Sequence, residues 1–75
     1  MQILVVGSTG VLGRQVIPRL IERGHAVRAV VRRAEQSLAV EATGAEVVLG
    51  DILDPQSLAA AAAGREAVLH LATAI

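Results

Sequence analysis

Gly7, Gly10 and Gly13 stand at equal intervals of three in the stretch GSTGVLG, between an apolar run at residues 3–6 and an amphipathic stretch after it. What such a stretch offers chemically is backbone amides. A helix N-terminus carries unpaired N–H groups and a partial positive charge. Set at the end of a parallel strand, it holds an anion, phosphate above all. Each glycine has its own use. Gly7 permits the sharp turn off the strand, Gly10 lets a pyrophosphate approach without a Cβ in the way, and Gly13 lets the helix pack closely on the sheet. Ser8 and Thr9 add hydroxyl donors, and Val11 and Leu12 carry the loop into the helix. A Walker phosphate loop does not fit, because no Gly-Lys-Ser/Thr follows. The alternative is a small-residue turn with no ligand. The strand before, the helix after and the β-α-β length favour the anion site.

Two histidines are the other side chains suited to proton chemistry. His70 lies within an apolar strand pattern, where a lone histidine is expected to be a packed, hydrogen-bonded core residue, and no nucleophile or acid partner accompanies it. His25 follows Gly24 at a turn and reads as a surface residue. Neither has metal-ligand spacing with a further ligand.

The elements that must position these residues alternate regularly. Strands are predicted at residues 3–6, 26–31, 46–49 and 67–72. A first helix follows from Val16, Ile17, Leu20 and Ile21, with Gly24 as its stop. Pro18 falls inside it, removes one bond to the Arg14 carbonyl and predicts a mild kink. A second helix is expected over residues 34–43, ending at Gly44. A third runs over residues 58–63 behind an Asp54 N-cap and a Pro55 at the first helical position, with Gly64 at its end. The Ala59 to Ala63 run is low in complexity and suits a helix packed close to a sheet. Alternation of this kind implies a parallel α/β sheet with right-handed crossovers. The expected arrangement is a partial Rossmann-type sheet of four strands, order 3-2-1-4, with helices on both faces.

Composition narrows the classes. Seventy-five residues allow one small domain, spanning 1–75, with a modest core. The chain is 53% hydrophobic and has no aromatic residue, so Val, Leu, Ile and Ala must build that core. Seven arginines balance seven acids, which leaves no basic field for nucleic acid. No cysteine is present, so thiol chemistry is excluded. Neither a signal peptide nor a membrane-length apolar run is visible, and a cytoplasmic location without membrane association is the expectation.

GSTGVLG resembles the GxxGxxG loop of the extended and atypical short-chain dehydrogenase/reductases. Three further stretches carry the same resemblance in the same order: RGHAVRAVVRR at 23–33, GAEVVLGDILDPQSL at 44–58 and AVLHLATA at 67–74. The chain is most similar to NAD-dependent epimerase/dehydratase and NmrA-like proteins. The resemblance implies a nicotinamide dinucleotide as cofactor and partner. Asp51 would accept a hydrogen bond from the adenine amine, and Ile52 would pack beside the ring. Leu71, Ala72 and Thr73, ending the fourth strand, would lie at the topological switch point near the middle of the cofactor. Where an NAD site has an acid at the end of the second strand, this chain has Arg32 and Arg33. A guanidinium binds a 2′-phosphate that a carboxylate would repel, so NADP is favoured, with NAD the alternative. A solvated arginine pair is the other reading of those residues. Arg14 is divided between the same phosphate pocket and an exposed helix face.

The reductases and epimerases of that family use a Tyr and a Lys, four residues apart, beyond the fourth strand. These 75 residues contain neither, so no catalytic residue is assigned. The expectation is the N-terminal portion of a longer protein, or a truncated product. Three readings follow: the cofactor segment of an oxidoreductase, epimerase or dehydratase; an NmrA-like sensor that binds dinucleotide without turning it over; or a half-domain with no activity of its own. The outer edge of the fourth strand is open to pairing with a second copy.

Overall fold

A computed structural model of the chain describes residues 1–7, 11–51 and 53–71. Four strands, β1 (Gln2–Val6), β2 (Ala26–Val31), β3 (Glu46–Leu49) and β4 (Ala67–His70), form a parallel sheet in the order β3-β2-β1-β4. This is the expected order. β1 is central, and Ile3, Leu4, Val5 and Val6 are buried on both faces. Its register sets Val6 beside Val30 on one side and His70 on the other. β3 extends the sheet with Val31 opposite Leu49.

Alternation along the strands sorts the core into two layers. Ile3, Val5, Val27, Ala29 and Val31 face Ile17 of α1 (Val11–Glu22) and Val40 of α2 (Ser37–Glu41). Leu4, Val6 and Val30 face Ala61 of α3 (Pro55–Ala62). Full burial of a side chain such as Leu4, Ile17 or Val5 contributes about 1.5–3 kcal/mol, and without aromatics these aliphatics carry the core.

α1 continues to Glu22 with the exposed Pro18 inside it, because Ile17, Leu20 and Ile21 keep its apolar stripe on the sheet. It closes in a Schellman motif. Gly24 N–H donates to the Ile21 carbonyl at 3.0 Å and His25 N–H to the Leu20 carbonyl at 3.1 Å. The second helix differs from expectation. A 3-10 turn at Ala34–Gln36 precedes a five-residue α2. Gln36 is the cause: its Oε1 accepts the Arg33 N–H at 3.1 Å while its own N–H donates to the Arg33 carbonyl at 3.0 Å, which tightens the first turn. α3 starts as its sequence predicts, with Pro55 at the first helical position and Asp54 Oδ1 accepting the Gln56 N–H at 3.0 Å.

Candidate functional site: the carboxyl edge of the sheet

Every candidate residue in the described part of the chain follows the carboxyl end of a strand or opens the helix after it. Gly7, directly after β1, has φ 91°, a conformation that a side chain would strain. Four residues later α1 begins. Val11 and Leu12 in its first turn are exposed, and Gly13 is buried against the fold. No acidic residue occupies that turn, so the helix presents its positive end without internal compensation. Arg14 is exposed beside it. Ser8, Thr9, Gly10, Ile52, Ala72 and Thr73 lie outside the described residues.

Arg32 and Arg33 follow β2 directly and are both exposed. Among the described residues neither forms an ion pair; the arginine that does is Arg28, with Nε 3.4 Å from Glu46 Oε1. The two guanidiniums are thus available to an external anion.

Asp51 follows β3 and is half-buried. Its N–H donates to Ser57 Oγ at 2.9 Å, its carbonyl accepts the Asp54 N–H at 3.0 Å, and its Oδ1 accepts the Leu53 N–H at 2.9 Å. The residue is therefore a turn residue in the ordinary sense, with Oδ1 engaged. Among the described residues Oδ2 has no partner. Gly50, before it, donates to the Val31 carbonyl at 2.9 Å and so ties the start of this loop to the end of β2. On the other side of β1, Leu71 is half-buried and its N–H donates to the Val6 carbonyl at 2.7 Å, extending the β4 pairing one residue past His70.

His70 corrects its sequence reading. It is exposed, because the side chains of β4 alternate and the inward positions fall to Ala67 and Leu69. His25 is half-buried, with Nδ1 3.2 Å from the N-terminal amine of Met1, at the opposite edge of the sheet.

The sequence reading passes over two residues. Ser57 supports Asp51, and Arg28 spans from β2 to the end of α3. Its Nη1 donates to the carbonyls of Ala61 at 2.9 Å and Ala63 at 3.1 Å. A lone arginine inside the apolar run AVRAVV is the one signal that could have marked the second.

An open parallel sheet with a glycine turn into a helix at its central strand, flanked by polar loops at the carboxyl edge, is the architecture of a dinucleotide-binding domain. The left-handed Gly7, the buried Gly13 and the uncompensated start of α1 fit such a ligand. A family of NAD(P)H-binding domains matches residues 7–74, and the chain belongs to it. It is 39% identical over 74 residues to the photosystem II assembly factor Ycf39 of Synechocystis, covering 99% of this chain and 23% of that protein. A Bacillus halodurans structure assigned as an NAD-dependent epimerase/dehydratase superposes with a TM-score of 0.90 at 30% identity, over 100% of this chain and 35% of that one. An NADPH-dependent quinone oxidoreductase of Escherichia coli does so with a TM-score of 0.81 at 34% identity, over 91% of this chain and 26% of that one. The chain thus spans about a quarter of the length of the curated relative, 23%. Among the described residues no helix is long and apolar enough to cross a membrane.

Proposed function

We propose that the chain is the NADP-preferring cofactor segment of a short-chain dehydrogenase/reductase-like oxidoreductase or sugar-nucleotide-type epimerase/dehydratase. The observation that carries this reading is the arrangement at one sheet edge. The Gly7 turn and the α1 start sit at the centre, the exposed Arg32 and Arg33 follow the neighbouring strand, and Asp51 follows the strand beyond. The 7–13 stretch would hold the pyrophosphate on its amides. Arg32 and Arg33, with Arg14, would hold the 2′-phosphate by charge-assisted bonds. Asp51 and Ile52 would hold the adenine, and Leu71, Ala72 and Thr73 would admit the middle of the cofactor to the sheet edge. A bound nicotinamide supplies a hydride donor or acceptor. The residues of this chain bind and orient it, and none is assigned to proton transfer.

Titration of the protein with NADPH and NADH tests this. NADPH is expected to bind about tenfold or more tighter, the worth of one charge-assisted contact. Arg32→Asp/Arg33→Ala should abolish the difference. Binding of neither nucleotide to the folded protein refutes the cofactor role, and equal binding of both refutes the arginine argument. A second reading rests on the 39% identity to an assembly factor: a dinucleotide-binding module that serves association rather than turnover. Binding without hydride transfer under any substrate challenge would favour it.

A further inference from the structure

The hydroxyl of Ser57 is held at the junction of loop, helix and sheet. Ser57 is the third residue of α3, and its Oγ reaches back six positions to accept the Asp51 N–H at 2.9 Å. Gly50 makes the room. A Cβ there would stand 2.9 Å from Ser57 Oγ, nearer than a Cβ comes to another atom, and 3.1 Å from Val30 Cγ1, a tight contact. The two bonds around the turn, to the Asp51 carbonyl and to Asp51 Oδ1, complete the restraint. Asp51 is thereby fixed at its amide, its carbonyl and one carboxylate oxygen, and among the described residues nothing engages Oδ2.

We propose that Ser57 is a positioning residue for Asp51, and that through it Asp51 selects a purine bearing an exocyclic amine. The inference rests on the adenine reading of Asp51 given above. The 6-amino group of adenine donates to a fixed carboxylate. The 6-oxo group of hypoxanthine presents an oxygen to it instead and is repelled. Discrimination of this kind needs the carboxylate held in place, since one free to rotate away or hydrate does not penalise the wrong base. Without the Ser57 hydroxyl the part-buried Asp51 amide has no acceptor, and the loop must open to hydrate it.

The test measures the dissociation constants of NADPH and of its hypoxanthine analogue for the wild type, Ser57→Ala and Ser57→Thr, with folding followed by circular dichroism. The wild type is expected to prefer the adenine form about tenfold, Ser57→Ala to lose at least about threefold of that preference, and Ser57→Thr, which keeps the hydroxyl, to retain it. A purely structural role moves both constants together, so an unchanged ratio in Ser57→Ala overturns the proposal. So does a wild type that binds both forms equally. A wild type that binds neither form overturns the cofactor reading itself. If Ser57→Ala does not fold, Ser57→Thr decides: loss of the preference with folding intact overturns the proposal, and its retention supports it.

Discussion

Replacing Arg28 with methionine isolates a long-range tie that the strand-helix rhythm does not suggest. The side chain is 18% exposed, and its Nη1 donates to the Ala61 and Ala63 carbonyls at 2.9 and 3.1 Å. These are among the last carbonyls of α3, which have no acceptor role within the helix. A hydrogen bond from a charged donor contributes about 1.5–3 kcal/mol when part-buried, and a cation at a helix C-terminus about 0.3–1 kcal/mol. The Ala63 bond is exposed and adds little, and the pair with Glu46, 57% exposed, adds about 0–1 kcal/mol. Methionine keeps most of the aliphatic stem, so the expected loss is about 2–4 kcal/mol, summing the carbonyl and helix-end terms. For a domain of this size that lowers Tm by about 10–30 °C. Urea denaturation followed by circular dichroism should show a lower midpoint at unchanged slope. Glu46→Gln should cost less than about 1 kcal/mol. A loss below about 0.5 kcal/mol for Arg28→Met, or one matched by Glu46→Gln, refutes the tie to α3 as the reason for this arginine.

Two further outcomes are expected. Asp54→Ala removes the side-chain acceptor of the Gln56 N–H and should cost about 1 kcal/mol, read as a midpoint shift in the same denaturation experiment. Gly7→Ala forces a Cβ onto a residue at φ 91°, at a cost of about 1–2 kcal/mol. It should also weaken NADPH binding in the titration far more than it lowers Tm, since the turn that aims the loop amides must change.

Strand order, three of the four strands within a residue of their observed ends, and the Asp54-Pro55 start of α3 were all legible in the chain itself. Each depends on local chemistry: apolar runs, glycine stops, a cap two residues before the amide it serves. The 34–43 segment was less legible, because a glutamine side chain folding back on Arg33 competes with helix continuation and leaves no periodic trace. The candidate site divides the same way. The glycine turn is a local pattern, and its φ confirms why glycine stands at position 7.

From the sequence alone came the parallel sheet and its order, because period and punctuation are properties of neighbouring residues. Tertiary structure alone decided that His70 faces outward, that Arg28 holds the end of a helix 33 positions away, and that Ser57 braces Asp51 across the mouth of a loop. Those depend on which face of a strand meets which helix, and on the separations between parts of the chain that only the packed sheet brings together.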